Sequence, residues 1–216
     1  MHTKSIAVGN GKGKRWAKTP KGAAPADDCL TLSDVIKMLG YADRTKEAKN
    51  IIQSGLVRVD GDVCKDPARA LGLMDIIQLQ KIGKSYRVSV QKKNLVLTEI
   101  AAKDAKNKLC RVIGKKVLAG NKVQVNLHDG TNILYDKPVS VNDTIILKIP
   151  DRKVDKILPY EVGKQAIIVS GRHRGETGKI TEIVGGTASR KSQTTVDEIQ
   201  TLTEYAFVVG ADKSLV

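Results

Sequence analysis

The sequence predicts an α+β protein in which several small units follow one another along 216 residues. Three observations support this class. Two short stretches early in the chain have the apolar spacing of helices, most later stretches alternate as strands between turn residues, and a late glycine-spaced stretch separates two apolar strands. We expect an extended basic tail at 1–27, a helix-helix-hairpin unit at 28–90, a β-rich central unit at 91–160 and a small β-barrel at 161–216.

The tail is basic throughout and has no acidic residue up to position 26. Its glycines and prolines disfavour a stable helix, and it contains too few apolar residues to fold alone. We expect it to become ordered on a polyanion, with Trp16 packed on a base, a sugar or a protein surface; a disordered solubilising tail is the alternative. The candidate binding residues are Lys4, Lys12, Lys14, Arg15, Trp16, Lys18 and Lys21.

A first helix is predicted where apolar residues follow the i, i+3, i+4, i+7 spacing, at Leu32, Val35, Ile36 and Leu39. Thr31 or Ser33 can cap its start, and Gly40 can end it in the left-handed conformation. A second helix is predicted to begin after an N-cap at Thr45, with Ala48, Ile51 and Ile52 on one face and Gly55 as its end.

A hairpin is predicted directly after the second helix. Residues 56–59 alternate, and Asp60-Gly61 is a two-residue hairpin signal with Val63 beyond it. Exposed backbone N–H groups at the start of the second helix would add to the positive charge of the surrounding side chains. The cations form either a compact phosphate site or an ordinary solvated face. The candidate residues are Arg44, Thr45, Lys46, Lys49, Arg58, Lys65 and Arg69.

This unit resembles the S-four RNA-binding domain in the order and spacing of its residues. The matching positions are Arg44, Thr45, Lys46, Ala48, Ile51, Gly55, Val57, Val59, Asp60 and Gly61. The resemblance implies that the second helix and the hairpin contact RNA. It does not settle function, because the same domain accompanies RNA-modifying enzymes, a tRNA synthetase and heat-shock RNA binders.

The central unit is expected to begin at a joint at residues 91–94, after a strand at 86–90. A strand at 95–100 and a short helix at 101–109 follow. In that helix, Ala102, Ala105 and Leu109 would point inward and Lys103, Lys106 and Lys108 outward. A hairpin turning at Asp129-Gly130 and a strand at 144–149 complete the unit. Lys115 and Lys116 near a turn could contact phosphate, although simple solvation is the alternative.

The last unit contains apolar strands at 166–169 and 179–184 with Gly171, Gly175 and Gly178 between them. Glycines at this spacing permit positive φ angles in a bent loop. The stretch resembles the KOW motif, which begins a small SH3-like barrel, and strands at 194–202 and 205–209 would close that barrel. The loop contributes three candidate RNA contacts, which could instead be plain exposed positions: Arg172, His173 and Arg174.

Composition points to a polyanionic partner. The net charge is +14, with 16 Lys and Arg against 9 Asp and Glu in residues 1–90, 14 against 7 in 91–160, and 7 of each in 161–216. One Trp, five Tyr and one Phe are few for gripping single strands by stacking, so folded RNA is the better target.

The same composition argues against several other functions. Cys29, Cys64 and Cys110 lack the spacing of a zinc site or a disulfide framework, which fits a reducing compartment. No stretch is long and apolar enough to cross a membrane, and the N-terminus lacks the apolar core of a signal peptide. No motif anchors a catalytic set, so we expect no enzymatic activity, no metal, no cofactor and no small-molecule substrate.

The combination of a basic tail, an S-four-like unit, a β-rich unit and a KOW-like unit resembles the small-subunit ribosomal protein S-four-e family. Further similar stretches are 72–77, 104–110 and 141–145. The resemblance implies a structural constituent of the small ribosomal subunit in the cytoplasm. Its partners would be ribosomal RNA, in the 5′ domain, and neighbouring ribosomal proteins. A short C-terminus suggests an archaeal type. The alternative is a non-ribosomal RNA-binding factor for RNA modification or translation quality control.

Overall fold

The computed structural model describes residues 29–210, except 121 and 188, together with the backbone of 3–8 and 15–20. Two helices and nineteen strands lie in this part of the chain. In the first half they are β1 Thr3–Val8, β2 Arg15–Pro20, β3 Leu30–Thr31, α1 Leu32–Met38, α2 Thr45–Gln53, β4 Val57–Val59, β5 Asp62–Val63, β6 Ala70–Leu71, β7 Ile76–Leu79, β8 Lys84–Gln91 and β9 Asn94–Ile100.

The second half is built from strands. They are β10 Asn107–Val117, β11 Val123–Leu127, β12 Asn132–Leu134, β13 Thr144–Lys148, β14 Lys153–Leu158, β15 Gln165–Ile168, β16 Thr177–Val184, β17 Gln193–Val196, β18 Ile199–Leu202 and β19 Ala206–Gly210. Short 3-10 turns at Asp104–Lys106 and Thr203–Tyr205 precede β10 and β19.

Three antiparallel five-stranded sheets dominate the architecture. The first sheet has the order β5-β4-β7-β8-β9, the central sheet β12-β11-β10-β13-β14, and the last sheet β18-β17-β16-β15-β19. Two smaller pairs, β1-β2 and β3-β6, accompany them. The predicted α+β class is therefore confirmed at the level of two helices among several sheets.

The segment predicted as an extended tail contains a strand pair. β1 and β2 run antiparallel, with Thr3 opposite Pro20 and Val8 opposite Arg15. This pairing was not predicted, because the stretch lacks the alternation that normally marks a hairpin.

The helical signals agree with the structure except at the start of α2. The Thr31 hydroxyl accepts from the Asp34 N–H at the start of α1, as predicted, and Gly40 follows the helix with φ +74°. In α2 the N-cap is Arg44, so the predicted cap, Thr45, is the first helical residue.

Two expectations about the central unit are wrong. Residues 91–94 form the tight turn between β8 and β9, with Gln91 paired to Asn94, so β9 belongs to the first sheet. The helix predicted at 101–109 is reduced to the 3-10 turn Asp104–Lys106, since the chain pairs with β13 from Asn107 onward. Tertiary pairing here overrides a helix-like local pattern.

One apolar core unites the three sheets. It includes Met74 and Val90 from the first sheet region, Leu109 and Ile146 from the central sheet, and Phe207 from the last sheet, all at most 8% exposed. A second core lies under α1 and α2. Because interiors are close-packed and resist deformation, the shared core makes the three sheets one rigid platform. No helix in the described residues is long and apolar enough to span a membrane.

Candidate nucleic-acid interface

The start of α2 presents three exposed cations. Arg44 caps the helix, and Lys46 and Lys49, spaced i, i+3, lie close to each other on its surface. Ala48 and Ile52 on the other side are fully buried in the helical core, which turns the basic side outward. None of the three cations forms an ion pair with another described residue. The structure therefore brings together these predicted site residues, with Thr45 exposed between them.

The backbone contribution to this site is smaller than predicted. The Glu47 carboxylate folds back and accepts from the N–H groups of Asp43 and Arg44, at 3.1 and 3.2 Å. The N–H groups of Thr45 and Lys46 have no helical carbonyl available to them. An anion at this position would meet these two N–H groups and the side chains of Arg44, Lys46 and Lys49, beside one resident carboxylate.

Arg58 does not join this cluster. Its neighbours in β4, Val57 and Val59, pack under the helices, so alternation along the strand puts Arg58 on the opposite face of the first sheet. There its Nε and Nη2 donate to the side-chain oxygen of Gln80 at 2.6 and 3.0 Å, in the amide orientation that satisfies both groups. The prediction of one compact cluster including Arg58 is wrong.

The two cations after the hairpin also separate. The Lys65 stem lies against Gly55 at the end of α2, because a Cβ placed on Gly55 would be 3.3 Å from the Lys65 Cε. Arg69 instead lines a cavity of about 380 Å³ between the first and central sheets, together with Arg152. Lys65 therefore extends the α2 surface, whereas Arg69 belongs to the junction of the two sheets.

Candidate residues in the later sheets are spread over the surface. Lys115 and Lys116 are exposed on β10, and the Lys115 ammonium donates to the Val139 carbonyl at 2.6 Å. Arg172 is exposed in the loop after β15. His173 Nδ1 lies 3.1 Å from a Glu176 carboxylate oxygen in the same loop, and Arg174 is half-buried.

The predicted tail contacts lie outside the residues whose side chains the structure describes. They are Lys4, Lys12, Lys14, Arg15, Trp16, Lys18 and Lys21.

A buried charge cluster, not predicted from the sequence, holds the first and central sheets together. Lys108 is 3% exposed, and its Nζ lies 2.7 Å from Asp60, 2.7 Å from Asp75 and 3.0 Å from Asp129. Asp60 and Asp75 come from the first sheet region, whereas Lys108 and Asp129 come from the central one. The prediction that Lys108 points outward is wrong, because it assumed a helix where β10 has already begun.

The pKa shifts keep the Lys108 ammonium, at the centre of the cluster, in its charged form. Burial disfavours the Lys108 ammonium, but Asp60, Asp75 and Asp129 outweigh burial and raise the pKa of Lys108 well above its usual range. Burial raises the pKa of Asp60 against the opposing effect of Lys108. For Asp129 the balance is reversed: Lys108, His128 and the Thr131 N–H overcome burial and lower its pKa.

His128 links all three sheets beside this cluster. Its Nδ1 accepts from the Arg111 N–H at 3.1 Å, so Nε2 carries the proton and donates to the Leu73 carbonyl at 3.1 Å. The ring packs edge-on against Phe207 of the last sheet, with centroids 5.5 Å apart. Burial lowers the pKa of His128 to about 4, which keeps the ring neutral near neutral pH.

The buried charge cluster and His128 have a structural role. The ammonium of Lys108 has three N–H donors and three carboxylate partners, so it has no remaining donor for a substrate. Both nitrogens of His128 are already bonded. Burial raises the pKa of the nearby Cys110 well above its usual range, which keeps this thiol protonated and unreactive. Among the described residues, no group of His, Cys, Asp and Glu side chains could hold a metal ion.

Comparison with known families agrees with this arrangement. A model of the S4 domain matches residues 31–77, which cover α1, α2 and the hairpin. A model described as Ribosomal family S4e matches residues 82–154, which cover most of β8 to β14. The fold and these matches define the class: ribosomal proteins that carry an S4 domain.

Individual relatives narrow the class to one family. Small ribosomal subunit protein eS4 of Methanocella arvoryzae is 35% identical over 217 residues, which cover 95% of this chain and 90% of the relative. The protein of the same name from Methanosphaera stadtmanae is 38% identical over 92% of this chain and 85% of its own length. The chain belongs to the small ribosomal subunit protein eS4 family, as its resemblance to the S-four-e family predicted.

A solved structure supports the same assignment. The crystal structure of the 30S ribosomal protein S4e from Thermoplasma acidophilum aligns with a TM-score of 0.77 at 32% identity. The alignment covers 88% of this chain and 100% of the other. At this level of sequence identity the shared architecture reflects common family membership.

Proposed function

We propose that this chain is a structural constituent of the small ribosomal subunit that holds folded ribosomal RNA through phosphate contacts. Membership in the eS4 family supports the assembly, and its place would be the cytoplasmic ribosome. The observation that carries the RNA contact is the exposed trio Arg44, Lys46 and Lys49 on a rigid platform, without an ion-pair partner among the described residues. Such cations are available to neutralise phosphates, whose release of counterions favours binding.

The separation of the other cations suggests a clamp with several contact points. Arg58 lies on the opposite face of the first sheet from α2, Lys116 on the central sheet and Arg172 on the last. Because the sheets share one core, these points keep fixed distances from one another. A folded RNA with phosphates at matching positions would be selected by shape, without reading of base sequence. The tail cations would extend the same clamp, and neighbouring ribosomal proteins would cover other faces.

The last sheet is proposed to be a KOW-type barrel. Gly171 and Gly175 have φ +88° and +92°, so the loop between β15 and β16 uses the left-handed conformations that glycine permits. The register of β16 with β17 shifts between Ile180 and Glu182, a bulge of the kind that bends strands into closed sheets.

Sedimentation of subunits tests the proposal. A tagged chain expressed in cells should stay with small subunits when the salt concentration is raised to levels that remove loosely bound factors. A non-ribosomal RNA-binding factor would instead appear in the soluble fraction at high salt. Recovery of the chain away from small subunits at every salt concentration would reject the structural role.

A further inference from the structure

The turn between β8 and β9 has an unusual backbone. Lys92 and Lys93 have φ of +45° and +69°, and Gln91 pairs with Asn94 on either side. Two-residue hairpin turns with two positive φ angles strongly favour Asn, Asp and Gly. Lysine has a Cβ and a long side chain, so two consecutive lysines are strained in this conformation.

A loop of the last sheet holds this turn in place. The Lys93 N–H donates to the Arg174 carbonyl at 3.2 Å. Gly175 lies directly against the turn, because a Cβ placed there would be 2.9 Å from the Lys92 nitrogen and 3.1 Å from Gln91 Cα. The first and last sheets therefore meet backbone to backbone at this point, and the turn is fixed by its surroundings.

Positive charge from both sheets converges at this contact. Lys92 and Lys93 are exposed, and neither forms an ion pair with another described residue. Arg172 is also exposed, two residues before Arg174 in the loop that holds the turn. The nearby carboxylate of Glu176 is hydrogen-bonded to His173. The turn and the adjoining loop therefore carry three exposed cations, two of them at positions where they strain the backbone.

We propose that Lys92, Lys93 and Arg172 form a composite phosphate site for the RNA backbone. The inference rests on the proposed function and adds to it a contact made jointly by the first and last sheets. Strained residues persist where the surrounding structure fixes them, and they cluster at functional sites. Here lysine supplies charge where asparagine and glycine would supply stability. The three exposed side chains of this site are cations, which favours phosphate contact over base stacking.

The decisive variant gives the turn the residues that its geometry favours. Lys92→Asn with Lys93→Gly should raise the melting temperature by about 2–4 °C, because the strain is relieved. The same variant should bind a transcript of the small-subunit ribosomal RNA about tenfold or more weakly, with the slope of log affinity against log salt reduced by about 2. A merely structural turn would gain stability without losing affinity.

Two further variants serve as controls. Lys153→Asn with Lys156→Asn removes the same charge from exposed positions on β14 and should leave affinity close to that of the unaltered chain. Lys92→Gln with Lys93→Gln removes the charge while it keeps the strain, so it should lose affinity without the gain in melting temperature.

The outcomes separate this inference from the proposed function. Normal binding by both turn variants, or losses equal to that of the β14 control, would overturn the composite site. The proposed function would still be supported if an Arg44→Ala, Lys49→Ala variant lost affinity in the same assay. Normal RNA binding with poor incorporation into subunits would mean that these cations contact an acidic protein surface, which also overturns the phosphate site. No binding by the unaltered chain would reject both.

Discussion

The Nζ atom of Lys108 lies 2.7 Å from Oδ1 of Asp75, in a buried ion pair that joins the central sheet to the first. Asp60 and Asp129 complete the set of partners. A buried charge of this kind is tolerated only when its partners satisfy it. The pair therefore fixes the relative position of the two sheets, and it supports the rigid platform on which the proposed RNA contacts depend.

Removing the Lys108 ammonium should destabilise the fold. Lys108→Met leaves three carboxylates near one another without a cation, and we expect a loss of about 3–5 kcal/mol in the free energy of unfolding at pH 7. Lys108 lowers the pKa of Asp60 and of Asp129, so both pKa values should rise without it, and the deficit should shrink as pH falls from 7 to 5 and protons neutralise these carboxylates. Urea unfolding at both pH values measures this. Lys116→Met, at an exposed position of the same strand, should change stability little.

His128 should make stability depend on pH in a defined window. Its pKa of about 4 in the folded chain lies below the ordinary 6.5, so the unfolded chain binds more protons between these values. Stability from this residue is present above pH 6.5 and is lost as pH falls towards 4, at no more than about 1.4 kcal/mol per pH unit. Titration of the imidazole by NMR measures the pKa directly. A value near 6.5 in the folded chain would contradict the assignment.

Cations at the start of α2 should act on RNA affinity without sequence preference. Arg44→Ala and Lys49→Ala should each weaken binding to many folded RNAs alike and reduce the salt slope by about 1. Gln53→Ala, at an exposed position of the same helix, is the matched control and should leave the slope unchanged. Loss of affinity for one base sequence alone would argue against phosphate recognition.

Two glycines with similar backbone angles should respond differently to alanine. Gly61 and Gly40 have φ of +85° and +74°. A Cβ at Gly61 would be 3.0 Å from the Pro150 Cβ, whereas a Cβ at Gly40 would have no atom within 4 Å. Both substitutions strain the backbone, but Gly61→Ala also overpacks the contact, so it should cost at least about 1 kcal/mol more. Equal decreases in the free energy of unfolding, measured by thermal unfolding, would show that Pro150 moves at little cost to accommodate the added methyl group.

The sequence alone was informative wherever structure depends on neighbouring residues. The apolar spacing of Leu32, Val35 and Ile36 defined α1, and the Thr31 hydroxyl caps it as expected. Asp60-Gly61 and Asp129-Gly130 both lie at turns as predicted, and the positive φ of Asp60, Gly61 and Gly130 is a conformation that Asp and Gly tolerate. The combination of motifs also indicated the family correctly, since the order of residues along the chain carries that information.

Only the tertiary structure decided which charges are buried and which faces the exposed ones share. Lys108 meets Asp60 from 48 residues away and Asp75 from 33, and no local pattern distinguishes it from the solvated lysines around it. Arg58 lies away from α2 because its strand packs against the helices through Val57 and Val59. From the sequence, the Lys92-Lys93 turn has the composition of a polar joint, and only the structure shows that Gly175 packs against it. Burial and long-range pairing depend on the whole chain, and they determine whether a charged side chain is buried or exposed.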